Sequence, residues 1–139
     1  MPTVRLAFTS APRYVRTARL VGVAMARRAG VADELLDEVR QAVGEACGRA
    51  VARHQRHGIQ ELIRVEMTDD GPYTVRVIDA CGAAPCPKAA GEGGDDDEDT
   101  DRMADTLLAG LVQDLQIRSG PEGTEVTMVW PVRRRSYGR

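Results

Sequence analysis

Aromatic side chains are few: Phe8, Tyr14, Tyr73, Trp130 and Tyr137 are all that the 139 residues contain. Stacking platforms for single-stranded nucleic acid are therefore scarce. The basic residues are dispersed and form no stripe, so direct nucleic-acid binding is not expected. No apolar run approaches the roughly 20 residues of a membrane span, so no membrane partner is expected either. The N-terminal stretch "MPTVRLAFTS" lacks the apolar region of a signal peptide. Cysteines number three, an odd count with no regular framework. Together these absences point to a reduced, cytoplasmic chain of one domain, with a core of Val, Leu, Ile and Ala.

Charge is unevenly spread. Residues 91–105, "GEGGDDDEDTDRMAD", hold eight acids and one Arg, a local charge of −7; the net charge is −2, which leaves the rest at +5. The run lacks the glycine and distal Glu of a calcium loop. It reads as a solvated segment, or as an acidic lid facing a basic partner surface.

Alternation of Val4, Leu6 and Phe8 predicts a first strand over 3–8. Thr9 or Ser10 is the expected N-cap of a helix with Pro12 in its first turn, and Gly30 its stop. In that helix Val15, Ala18, Gly22, Met25 and Ala29 form a stripe. Asp33 is the expected cap of a second helix ending at Gly58, with Leu36, Val39, Val43, Ala46, Cys47 and Ala50 as its buried face. Glu38, Gln41, Glu45 and Arg49 form a polar stripe beside it. Runs 61–68 and 73–79 around "DDGP" predict a hairpin. Residues from Ala80 to about 101 are rich in small residues, proline and acids, and predict a mobile loop. A helix from Met103 to about 115, strands at 115–119 and 124–130 around "GPEG", and a frayed basic tail at 133–139 complete the chain. Strands in hairpins, not alternating with helices, argue for an α+β two-layer sandwich: a mixed, mainly antiparallel sheet with helices on one face.

Residue by residue, the chemistry starts as local. Glu45 and Arg49 are four apart, which makes an ordinary helical ion pair the first reading and an active-site acid the sharper one. Asp79 ends a strand and suits a turn cap or a nucleotide contact. Cys81 and Cys86 lie five apart with no further ligands nearby, so no metal site is expected; a loop disulfide under oxidation stays open. Cys47 suits a small core position, and His54 and His57 suit a solvated helix end.

Three stretches carry a resemblance covering nearly the whole chain. "LDEVRQAVGEACGRAV" is similar to the asparagine box of the anti-sigma factor kinases of the RsbW and SpoIIAB type, proteins with the histidine-kinase-like ATPase (Bergerat, or GHKL-type) fold. "VRVIDACGAAP" resembles their first glycine box, and "SGPEGTEVTMVW" their terminal Gly-Thr hairpin. The streptomycete members encoded beside the anti-anti-sigma factor BldG are the nearest in pattern. The resemblance implies one such domain over 1–132 with an acidic lid at about 80–101. It also implies a homodimer that binds a sigma factor and releases it to a STAS-domain antagonist. Carried over by position, Glu45 is the catalytic base, and Asp79, Gly82, Arg49 and Thr124 face the nucleotide. The departures are equally specific. Arg49 stands where the family has a magnesium-binding Asn, and a guanidinium has donors but no acceptor. Gly82 is the sole glycine of the first box and is out of register, and "RMAD" lacks the glycines of the second. The reading is therefore a regulator without a cofactor. The alternative is an active serine kinase that uses ATP and magnesium on a STAS partner.

Overall fold

In a computed structural model the described residues are 3–69, 71–81, 103 and 106–133. Five strands and two long helices run in the order β1 (Thr3–Phe8), α1 (Pro12–Ala29), α2 (Asp33–His57), β2 (Ile63–Asp69), β3 (Tyr73–Asp79), β4 (Asp114–Gly120) and β5 (Gly123–Trp130). Helical turns at 106–111 precede β4. The sheet order is β1-β2-β3-β5-β4, which leaves β1 and β4 as the edges. All four pairings are antiparallel, so the sheet is simpler than the mixed one expected.

Sheet faces follow from the two-residue period. Ile63, Val65 and Met67 of β2, Val75 and Val77 of β3, and Val126, Met128 and Trp130 of β5 are all buried on the inner face. Against them α2 lays Leu36, Val39, Val43, Ala46, Cys47 and Ala50. Each fully buried Val, Ile or Met among them contributes about 1.5–3 kcal/mol. From the other helix Ala18, Gly22 and Ala26 are buried, with Val15, Met25 and Ala29 at the margin. The helices meet closely at Gly22, where an added Cβ would lie 3.2 Å from Val43 Cγ2. Tyr73 ties sheet to helix: its hydroxyl donates to the Gly22 carbonyl at 2.8 Å.

Helix ends depart from expectation at their starts and not at their stops. The residue before α1 is Ala11 and the residue before α2 is Ala32, and neither helix has a side-chain cap. Pro12 instead occupies the first turn, with its ring already set for the helix. Asp33 is inside its helix, where its charge meets the positive end of the dipole. Both stops are as expected: Gly30 (φ 100°) and Gly58 (φ 63°) adopt the left-handed conformation that suits glycine.

Three other boundaries are corrected. β4 begins at Asp114, so the helix preceding it is shorter than the run to 115 suggests. The loop expected from Ala80 onward is fixed in its first two residues, as described below. Arg133, expected to fray, donates its N–H to the Gly30 carbonyl at 2.9 Å and pairs with Glu34 at 2.9 Å. The acidic run at 91–102, Gly82 and Cys86, and the tail at 134–139 lie outside the described residues. Among the described residues no helix is long and apolar enough to cross a membrane.

Candidate functional site

The last two turns of α2 face the C-terminal end of β3 and the start of β5. On α2 the buried stripe of Val43, Cys47 and Ala50 continues, at helical spacing, to His54, which is fully buried. Arg49 and Arg53 flank it one turn apart, and both are buried. β3 ends on Asp79, the next inward position after Val75 and Val77, and register sets Asp79 opposite Thr124 of β5. Gly123 permits this approach: a Cβ there would sit 2.0 Å from the Asp79 carbonyl oxygen.

The three residues Asp79, Ala80 and Cys81 are held from every side. Asp79 Oδ1 accepts the N–H of Cys81 at 2.8 Å and that of Thr124 at 3.3 Å. The Cys81 carbonyl accepts from Thr124 Oγ1 at 2.8 Å and from Arg53 Nη2 at 3.2 Å. His54 Nε2 accepts the N–H of Ala80 at 2.9 Å. An accepting Nε2 carries no proton, so this ring is neutral with its proton on Nδ1. The turn is thus clamped by α2 and β5, each bond worth about 0.5–1.5 kcal/mol net.

Burial governs the protonation of both titrating groups. It lowers the His54 pKa below 6.5; Asp79, the Glu61 backbone and the Glu61 charge pull it up, and Arg53 adds to the fall. It raises the Asp79 pKa above 3.8, against the Cys81 N–H and the charges of Arg53 and Arg49. Burial alone pushes the Cys47 thiol up to about 12, which leaves it unreactive.

The structure sets Asp79 against Thr124 and brings the Arg49 charge to bear on Asp79. Glu45 is half-buried one turn before Arg49, and the two form no ion pair among the described residues. The helical pair expected there is absent because Arg49 turns inward, where its charge acts on Asp79. Arg53 and His54 are the residues that sequence reasoning missed. His54 lies on the apolar stripe at 43, 47, 50 and 54, and that spacing was the available signal. His57 is half-buried beyond it.

Chemically, the cluster offers one acceptor carboxylate among two guanidiniums and a neutral imidazole. Asp79 Oδ2 forms no hydrogen bond among the described residues, so an acceptor for an amino group remains. A magnesium-nucleotide fits poorly. Guanidinium groups have no lone pair for the cation and repel it. Among the described residues no three His, Cys, Asp or Glu side chains gather into a metal-binding group. No phosphoryl-transfer step follows from this arrangement.

No curated protein matches the chain. Among solved structures, the RsbU and RsbW domains of Rv1364c from Mycobacterium tuberculosis share its fold with a TM-score of 0.69 at 18% identity. The match covers 97% of this chain and 34% of that one, so the chain spans about a third of that protein's length. A family model described as the histidine kinase-like ATPase domain matches residues 8–130. With the antiparallel sheet, the two helices on its inner face and the Asp79–Thr124 contact all in place, this chain belongs to the histidine kinase-like ATPase domain family.

Proposed function

We propose that the chain is a regulator of transcription of the RsbW and SpoIIAB type, nearest to the streptomycete members encoded beside BldG. In this reading it binds a sigma factor in the cytoplasm and exchanges it for a STAS-domain anti-anti-sigma factor. Exchange of partners, not hydrolysis of ATP, is its working step, and no cofactor takes part. Family membership supports the class, and the likeness to the RsbW domain structure supports the fold. One observation carries the departure from enzymatic work: α2 turns Arg49 and Arg53 into the cleft beside Asp79. Cations there oppose the metal that phosphoryl transfer needs.

Calorimetry with ATP and magnesium tests this directly. The expected result is no magnesium-dependent heat at millimolar nucleotide. A micromolar dissociation constant that vanishes with chelator refutes the reading. Reversion of Arg49→Asn alone is expected to leave binding absent, because the glycine boxes remain altered. A homodimer through β1 and α1 is part of the proposal, and a monomer at tens of micromolar in sedimentation counts against that part.

The second reading, a serine kinase acting on a STAS partner, is favoured by Asp79 Oδ2, which remains open to an adenine amino group. Glu45 would then be the base. Mass measurement of the STAS partner after incubation with ATP separates the two, since a kinase adds a phosphate.

A further inference from the structure

The outer face of the sheet, which no helix covers among the described residues, is charged in an orderly way. Arg5 pairs with Glu66, Glu66 with Arg76, and Arg76 with Glu125. These four side chains cross β1, β2, β3 and β5 and cancel one another. Arg64 of β2 and Arg118 of β4 lie on the same face, are exposed, and join no carboxylate among the described residues.

Between them is a hollow of about 750 Å³. Its floor is Ile78 together with Gly120 and Gly123, where the hairpin carries no side chain, and Leu62 forms an apolar wall at 49% exposure. Asp79, Ala80 and Thr124 line it as well, so the hollow reaches the strand ends at the turn that His54 and Arg53 hold. Register fixes its width: Arg64 pairs with Ile78, Ile78 with Glu125, and Glu125 with Arg118. Three strand spacings of about 4.8 Å separate the two arginines, roughly 14 Å in all.

We infer that this hollow is a docking site for an extended protein segment carrying two carboxylates four residues apart, with an apolar side chain midway. The match is one of length and charge. An extended chain advances about 3.3 Å per residue, so positions i and i+4 are about 13 Å apart and point to the same side as i+2. The carboxylates meet Arg64 and Arg118, and the central side chain rests on Ile78 and the bare glycines. Glu125 does not oppose this occupant, because Arg76 already neutralises it. Glu61 and Glu122 line the same hollow and disfavour acids placed beside them, which sets the register. The inference takes from the regulator reading only that the occupant is a protein.

The test is fluorescence anisotropy on the full chain with a labelled Glu-Ser-Leu-Ser-Glu peptide. Saturable binding that weakens with salt is expected. Arg64→Ala and Arg118→Ala each weaken it about 2- to 5-fold, as exposed ion pairs do, and the double charge reversal R64E/R118E removes it. A peptide with lysines in place of the glutamates does not bind. No saturation by about 5 mM peptide overturns the proposal. So does unchanged affinity in the double reversal with an unchanged circular dichroism spectrum. Equal affinity for a free seven-carbon dicarboxylate makes the hollow a small-molecule site and equally overturns protein docking. The assay needs neither sigma factor nor STAS protein, so its failure leaves the regulator reading intact.

Discussion

Gly120 and Gly123 face each other across the last hairpin, yet alanine at the two positions should behave in opposite ways. At Gly123 the new Cβ would lie 2.0 Å from the Asp79 carbonyl oxygen, 3.1 Å from its carbon and 3.3 Å from Ala80 Cα. All three atoms are backbone, so no side chain can swing aside. Relief requires β5 to move away from β3 by more than 1 Å, since ordinary contact begins near 3.4 Å. Overpacking of this kind costs about 1–3 kcal/mol. The same movement stretches the 3.3 Å bond from the Thr124 N–H to Asp79, worth about 1 kcal/mol. Lower entropy of the unfolded chain returns about 0.4–1 kcal/mol. The net expectation for Gly123→Ala is a loss of about 1–3.5 kcal/mol. At Gly120 nothing lies within 4 Å of the new Cβ, so Gly120→Ala keeps only the entropic gain, up to about 1 kcal/mol. Urea denaturation followed by circular dichroism reads both. If the two variants fall within about 0.5 kcal/mol of each other, the close approach of β3 and β5 is not what holds Asp79.

Other outcomes can be checked on the same footing. Tyr73→Phe removes the buried bond to the Gly22 carbonyl and should cost about 1–1.5 kcal/mol in the same titration, because the helix still satisfies that carbonyl. For His54 the folded-state pKa is below 6.5, so only the unfolded chain takes up a proton just under that pH. Stability is complete above pH 6.5 and falls as pH drops towards the lowered value, by at most about 1.4 kcal/mol per unit. His54→Gln keeps an acceptor for Ala80 and should flatten that limb; an unchanged slope between pH 7 and 5 speaks against it. Asp79 acts in the opposite sense. Its cost is absent below its ordinary 3.8 and grows as pH rises to its raised value, so Asp79→Asn should gain most above that range. Glu45→Gln should change stability by well under about 1 kcal/mol and leave the STAS partner's mass unchanged in the presence of ATP, whereas a kinase would lose an added phosphate.

The strands were legible because their inner faces are mainly apolar: Tyr73, Val75 and Val77 alternate with partly exposed neighbours, and a slip of one residue would expose them all. The helix stops were legible because glycine alone serves the left-handed turn cheaply. The starts were not, because a Thr or Ser near a helix is only a candidate cap until the chain's entry angle is known. Here the Ala11 N–H closes back on the Thr9 carbonyl at 2.7 Å and Pro12 opens the helix, which leaves the hydroxyls unused. The site divides in the same way. Asp79 and Thr124 are ends of regular strands, and register brings them together. Arg49 looked like the partner of Glu45 because local spacing is all a helix pattern records, yet it is buried, and its charge acts on Asp79. His54 misled for a related reason. A histidine near a helix end is usually wet, and only the turn after β3, with its Ala80 N–H needing an acceptor, gives a buried neutral ring something to do. That demand comes from a residue 26 positions away, so no local pattern could state it. It also explains why His54 continues an apolar stripe: a neutral imidazole there satisfies one backbone donor and otherwise packs as a core side chain, whereas a charged ring would face Arg53 in a buried cleft.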